Sequence, residues 1–217
     1  MSAKLKLPLE LRSRTFSQER ARKTYEGLLE AAQKVFVAKG YDATQTPDIA
    51  AEAGVSVGSF YRYFSDKREI FLEIMRRDLT EAHEQVMAKL TPDALTGKGR
   101  RATIDEILNI LLAGINRHPG MQRVLLEMAL RDKDVARLKH AFDMESQDRI
   151  ADVIAAICPE EQVADPKATA YVIHIAAVEC AIRIAGELGQ MPVSRDRAKA
   201  ALTQLIDRAV FGHDPAD

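Results

Sequence analysis

Residues 44–67 read TQTPDIAAEAGVSVGSFYRYFSDK. A short helix is predicted to begin near Thr46, because threonine can cap a helix and Pro47 suits its first turn. Gly54 is expected to end that helix, and Ser56 to cap a second short helix. Two short helices joined by a glycine turn are typical of a helix-turn-helix motif.

These two helices are too short to bury their own apolar side chains, so they must pack on a neighbour. The preceding segment can supply it, because Ser17 can cap a helix that Gly40 ends, with apolar residues at three- and four-residue spacing between them. A fourth helix, capped by Ser65, is predicted to run from Asp66 to Leu90, a length of about 37 Å. A small N-terminal domain followed by one long helix is therefore expected.

The remainder of the chain is predicted to be helical as well, since it has no alternating β-branched runs bounded by turn dipeptides. The stretch 91–102, with its proline and two glycines, is expected to be a loop. Further helices are predicted at about 103–117, 120–131, 135–157, 166–188 and 195–211. The fold class is all-α, with a basic arm at 1–16, a helix-turn-helix domain at 17–80 and a helical domain at 81–217.

Composition excludes wholesale disorder, because 47% of the 217 residues are hydrophobic and 29% are charged. The net charge is −1, yet residues 1–25 carry seven basic and two acidic side chains. Such an arm suits either nucleic-acid binding or solubility.

Cys158 and Cys180 match no disulfide or metal-site spacing, which favours a reducing cytoplasm. No signal peptide is seen, and the apolar stretch 171–186 is interpreted as too short to span a bilayer, so no membrane partner is expected.

Two enzyme-like motifs lack the context that they need. Residues 54–58 match the G-x-S-x-G nucleophile elbow, which requires a strand before the serine, and here a helix is predicted there. Residues 97–102 match G-x-G-x-x-A, but no strand precedes them and position 122 is glutamine where a dinucleotide site needs an acidic residue. Arg100 and Arg101 are therefore expected to be solvated. No enzyme activity, cofactor or metal is expected.

A denser motif runs through residues 40–67. Its members are Gly40-Tyr41, Thr44, Ile49-Ala50, Ala53-Gly54-Val55-Ser56, Gly58-Ser59-Phe60-Tyr61, Tyr63-Phe64 and Asp66-Lys67. With them the segment resembles the DNA-binding domain of the TetR (tetracycline-repressor-like) family of bacterial transcription regulators. The likeness covers about residues 20–80, and the later part agrees in length and helix order only.

The resemblance implies that the helix at about 57–64 is the recognition helix, lying in the major groove of operator DNA. Tyr61, Tyr63 and Lys67 would hold phosphates. The full set of implied DNA contacts is Thr44, Gln45, Thr46, Ser56, Val57, Ser59, Tyr61, Tyr63 and Lys67. Val57 and Pro47 stand where the family often has polar residues, so an operator sequence does not transfer.

The resemblance also implies that the C-terminal part binds a small effector and forms a homodimer. An adaptable apolar pocket or a tightly packed core is expected from Ile107, Leu111, Met121, Leu125, Met128, Phe142 and Met144. Glu179 and Arg183 are either a surface pair or polar groups of that pocket. Two helices with wide apolar surfaces suggest a dimer interface at His174, Ala177, Ala181, Leu202, Leu205 and Ala209.

These features predict a cytoplasmic homodimeric transcription regulator, expected to be a repressor that its effector releases from DNA. The long helix 66–90 is expected to couple the two events, since it is the only continuous element identified between the two parts. The alternative is a helical small-molecule carrier whose helix-turn-helix is only structural. DNA binding that weakens steeply with salt distinguishes the two.

Overall fold

A computed structural model describes residues 19–96 and 99–212, and within those ranges the chain forms helices and no strands. The predicted all-α class is confirmed. The basic arm at 1–16 and the Ser17 cap lie outside the described residues. The helices are α1 Glu19–Ala43, α2 Thr46–Glu52, α3 Val57–Tyr61, α4 Lys67–Lys89, α5 Pro92–Leu95, α6 Arg100–Asn116, α7 Met121–Arg131, α8 Lys133–Ile157, α9 Pro166–Ala185 and α10 Arg195–Phe211.

The chain divides into two compact units. The first contains the described residues up to Leu79 together with His118–Lys139, and the second contains Thr80–Arg117 and the described residues from His140 onward. Helices α4 and α8 each continue from one unit into the other. The sequence placed α7 in the later domain, whereas in the structure α7 packs against α1 in the first unit.

The core of the first unit is built around aromatic side chains from α1, α3 and α4. Phe36 and Phe71 pack edge to face with their ring centroids 5.4 Å apart, and Tyr25 stacks on Phe64 at 5.2 Å. Phe60 of α3 is fully buried among them. Helix α2 packs on α1 and on α3, and the ring of Phe60 lies 5.8 Å from that of Phe64, so the two short helices are held by their neighbours as their size required.

Glycine fixes two features of this unit. At Gly40 the backbone of α1 leaves helical geometry with φ 78° and ψ 166°, which is the break that the sequence predicted. Gly120 precedes α7 with φ 92°, and a Cβ atom there would lie 2.7 Å from Cγ1 of Val37. Only glycine permits that approach of α7 to α1.

Some helix ends differ from the prediction. Asp66, not Ser65, caps α4, because its Oδ1 accepts the amide of Glu69 at 2.7 Å. The carboxylate of Glu69 in turn accepts the amide of Ser65 at 2.6 Å. The predicted loop after α4 contains the short helix α5, capped by the Thr91 hydroxyl. A reciprocal cap and a single helical turn leave little periodic signal in the sequence.

In the second unit α6, α9 and α10 pack against one another. The fully buried carboxylate of Asp207 on α10 accepts Nε of Arg100 and Nε of Arg101, each at 2.7 Å. The prediction that these arginines are solvated is therefore wrong. Burial raises the pKa of Asp207, but the two guanidinium groups more than offset it and the pKa lies below the ordinary value.

Helix α9 is long and apolar enough to cross a membrane when judged by length and composition only. The helix begins five residues before the apolar stretch 171–186 considered in the sequence, and its 20 residues correspond to about 30 Å. In the structure α9 packs on α6 and α10 and carries the polar residues His174, Glu179 and Arg183. Packing between helices accounts for part of its apolar surface.

Candidate nucleic-acid interface

The helix-turn-helix consists of α2, a turn at Gly54 and α3. Ile49 of α2 and Phe60 of α3 are fully buried and fix the two helices on the core of the first unit. Other side chains of α3 face solvent, and among them Val57 and Tyr61 are exposed large side chains. The sequence thus separates one buried face from one exposed face within a five-residue helix.

Ser56 and Ser59 organise the start of α3. Oγ of Ser56 accepts the amide of Ser59 at 3.1 Å, so Ser56 caps α3 as predicted. The two hydroxyl oxygens lie 3.0 Å apart and share a hydrogen bond. A hydroxyl has one donor and two acceptor positions, so this pair retains capacity for an external partner.

Two tyrosines flank the end of α3 and differ in their surroundings. Tyr61 has 56% of its surface exposed, and its ring packs edge to face on Phe60 at 5.6 Å. Tyr63 is half-buried, with its ring 6.2 Å from that of Tyr25. Arg62, between them, is exposed and adds a positive charge. The Tyr61 ring is therefore held in place by Phe60, and its phenol is exposed at the surface, where the hydroxyl can donate to a phosphate oxygen.

The segment before α2 presents fewer groups than the resemblance implied. Gln45 is exposed and Thr46 is half-buried. Thr44 is fully buried, and its hydroxyl donates to the carbonyl of Gly40 at 2.7 Å. The Thr44 side chain thus closes the bend after Gly40 and has no surface exposed to solvent.

Lys67 is also engaged inside the unit. Its Nζ donates to the carbonyls of Tyr41, Asp42 and Thr44 at 2.9, 3.0 and 2.8 Å. It lies 4.8 Å from the centroid of the Tyr41 ring as well. An ammonium group has three donors, so all of them are used in holding the end of α1 to the start of α4. This geometry gives Lys67 a positioning role within the first unit, and the implied phosphate contact stays a prediction.

Two family models match the chain. The model of bacterial regulatory proteins of the tetR family matches residues 28–74, which contain the helix-turn-helix. The model of the tetracyclin repressor-like C-terminal domain matches residues 101–208. The chain belongs to the TetR family.

Curated relatives agree with this assignment. The HTH-type transcriptional repressor KstR of Mycobacterium tuberculosis is 24% identical over 192 residues, covering 88% of this chain and 81% of KstR. The HTH-type transcriptional regulator YvdT of Bacillus subtilis is 38% identical over 69 residues, which are 32% of this chain. The chain spans 36%, 35% and 49% of the lengths of YvdT, the TetC protein of transposon Tn10 and the Bacillus subtilis regulator YfiR.

A solved structure of a transcriptional regulator from Pseudomonas aeruginosa shares the fold. Its TM-score is 0.71 at 14% identity, and the match covers 90% of this chain and 94% of that chain. A TetR-family regulator from Mesorhizobium loti gives a TM-score of 0.67 at 17% identity, covering 88% and 97% of the two chains. The helical fold of the TetR family thus extends over both units.

The residues predicted to line an effector pocket are divided between the two units. Three of them are buried in the first unit, on α7: Met121, Leu125 and Met128. The others belong to the second unit: Ile107, Leu111, Phe142, Met144, Glu179 and Arg183. Within that unit Phe142 is buried against the His83 ring, whereas Met144 is exposed.

Two polar pairs accompany Phe142 in the second unit. Nδ1 of His83 and Oγ of Ser146 lie 3.1 Å apart, and burial lowers the pKa of His83. Nε2 of His174 and Oδ1 of Asp143 lie 3.2 Å apart. Glu179 and Arg183 form an exposed pair along α9 at 2.8 Å. Among the described residues no three His, Cys, Asp or Glu side chains are grouped to hold a metal ion.

The predicted interface residues divide by burial. Leu205 and Ala209 are exposed on α10. His174 is half-buried beside Asp143. The remaining three are buried inside the second unit: Ala177, Ala181 and Leu202. Three large apolar side chains that the sequence analysis did not choose for the interface are exposed on α9: Tyr171, Val172 and Ile175.

Proposed function

We propose that this TetR-family chain is a sequence-specific DNA-binding transcription regulator of the bacterial cytoplasm. It acts as a homodimeric repressor, and a small-molecule effector releases it from its operator. The DNA-binding part of this proposal depends on the exposed face of α3, and the other parts depend on the second unit.

The exposed face of α3 is the observation that supports DNA binding most directly. Ser56, Ser59 and Tyr61 present hydroxyl groups on one short helix, and Arg62 follows at its end. Hydroxyl and guanidinium groups of this kind donate to phosphate oxygens and to base edges. Because Phe60 anchors the opposite face, α3 can enter a major groove without losing its packing.

Dimerisation is supported by large apolar side chains that are exposed on the described chain. Tyr171, Val172 and Ile175 are exposed along α9, and Leu205 on α10 has 60% of its surface exposed. Clustered apolar exposure of this kind marks a protein interface more often than a free surface. A second copy of the chain is the proposed occupant, since a dimer presents two recognition helices to two half-sites.

Effector binding is assigned to the second unit. Its helices α4, α8 and α9 carry Phe142 beside the His83–Ser146 and His174–Asp143 pairs. An apolar interior with a few fixed polar groups suits a small organic molecule. The residues of α7, which belong to the first unit, are left out of this proposed pocket.

DNA binding is tested by selecting duplexes from a random pool and titrating the best one by fluorescence anisotropy. We expect affinity to fall about 10³–10⁵-fold between 50 and 200 mM salt, as for a protein that makes about 6–10 phosphate contacts. Tyr61→Phe should weaken binding about tenfold or more, since a hydrogen bond to a charged group contributes about 1.5–3 kcal/mol.

Thr96→Val is the control, because it removes an exposed hydroxyl group from the second unit at a residue outside α3, α9 and α10. It should bind DNA like the unmodified chain. Failure to enrich any duplex would contradict the proposal and favour a helical carrier with a structural helix-turn-helix. Equal affinity for Tyr61→Phe and the unmodified chain would remove α3 from the interface.

A further inference from the structure

An arginine fork joins the start of α4 to the start of α8. Arg68, the second residue of α4, donates from Nε and Nη2 to the two carboxylate oxygens of Asp132 at 2.7 and 2.9 Å. Nη2 also donates to Oδ2 of Asp134 at 2.6 Å. A guanidinium group bound in this parallel way fixes both distance and orientation.

Asp132 serves two helices at once. Its Oδ1 accepts the amides of Asp134 and Val135 at 2.9 and 3.2 Å, so it caps α8 while it holds Arg68 of α4. The Arg68 guanidinium and these amides lower the pKa of Asp132 to about 2. The carboxylate therefore stays ionised at neutral pH, and a shift of either helix end must strain the other.

The junction between α7 and α8 also contacts the residues that precede the helix-turn-helix. Arg131, the last residue of α7, donates from Nη1 to Oδ2 of Asp42 at 2.7 Å. The carbonyl of Asp42 accepts Nζ of Lys67, which also binds the carbonyl of Thr44 just before α2. Connected contacts thus join the α7–α8 junction to Asp42 and Thr44, the two ends of the short segment that precedes α2.

Helix α8 is continuous over 25 residues, Lys133–Ile157, and passes from the first unit into the second. Helix α8 is therefore a second continuous element, besides α4, that joins the two units. Both helices that cross the division have their N-terminal ends in the first unit, and Arg68 connects those two ends.

We propose that Arg68, Asp132 and Asp134 form a joint through which α8, as well as α4, is coupled to the DNA-bound position of the helix-turn-helix. This inference rests on the proposed function. Arg68 and Asp132 are positioning residues in it, and neither needs to contact DNA. Because coupling is reciprocal, DNA bound at α3 must change the stability of α8, and that change can be measured without an effector.

The test is hydrogen–deuterium exchange of the full chain with and without the selected duplex, followed on peptides of α8. DNA should slow exchange in α8 of the unmodified chain roughly fivefold or more. In Arg68→Gln and in Asp132→Asn this DNA-induced slowing should be lost. Asparagine caps helices well, so Asp132→Asn keeps the start of α8 while removing the charge.

Arg137→Gln is the control, since Arg137 pairs with Asp134 at 3.0 Å from within α8 and does not reach α4. It should retain the slowing. A duplex that binds without changing α8 exchange in the unmodified chain overturns the joint but leaves the proposed function standing. Unchanged slowing in Asp132→Asn overturns it as well, whereas absence of any DNA binding overturns the proposed function itself.

Discussion

Lys67 holds two helix ends together, so its replacement should destabilise the chain even when no DNA is present. Its ammonium group donates to the carbonyls of Tyr41, Asp42 and Thr44, which lie beyond the break at Gly40. Each hydrogen bond to a charged group contributes about 1.5–3 kcal/mol. Lys67 is half-buried, and water can replace part of what is lost. We therefore expect Lys67→Met to lower the free energy of unfolding by about 2–3 kcal/mol.

Methionine keeps the apolar stem of Lys67 and removes its donors. Urea denaturation followed by circular dichroism, at one fixed protein concentration, measures the loss. Lys34→Met is the control, because Lys34 is 69% exposed and pairs loosely with Glu52 at 3.5 Å, so its loss should cost under about 1 kcal/mol. If Lys67→Met unfolds like the unmodified chain yet binds DNA more weakly, the positioning role is refuted and a phosphate contact is supported.

Two further predictions concern the second unit. Burial raises the pKa of Asp207, but the guanidinium groups of Arg100 and Arg101 lower it by more, so the folded-state pKa lies below the unfolded-state pKa. The ionised Asp207 therefore stabilises the fold fully above the unfolded-state pKa, and this stabilisation is lost as the pH falls through the folded-state pKa. Asp207→Asn should lower the free energy of unfolding, measured by urea denaturation at pH 7, by about 3 kcal/mol, and the variant should lose less stability on acidification. Equal stability of the two proteins at pH 7 would show that the ion pairs of Asp207 contribute nothing. Leu205→Arg should give folded monomers in light scattering, and intact dimers would place the interface elsewhere. Ala181→Glu should unfold the chain, because Ala181 is 2% exposed and a charge at its buried site cannot be solvated.

The helix order and the helix-turn-helix could be predicted because their signals are local. Gly40 and Gly54 interrupt helices at the positions where the sequence places them. Ser56 caps α3 through a residue three positions away. Phe60 is buried because its neighbours on a short helix leave one apolar face. Signals of this kind act within a few residues, so the chain shows them without its tertiary structure.

Several contacts that the sequence did not predict are long-range. Lys67 binds carbonyls 23 to 26 residues earlier in the chain, and Arg100 binds a carboxylate 107 residues later. The burial of Thr44 depends on a bend that only the folded unit defines. A motif identifies which residues stand at family positions, but these partners decide whether a side chain faces DNA or the interior. The division of the predicted pocket between two units has the same cause, since α7 packs on α1.

DNase footprinting of the purified chain on the selected duplex tests the central claim, that this TetR-family protein reads DNA as a dimer through α3. We expect two protected half-sites whose centres lie about 34–36 Å apart along the helix axis, or a multiple of that, and Tyr61→Phe should weaken both equally. A single protected half-site, protection without a preferred sequence, or no protection at all would contradict it.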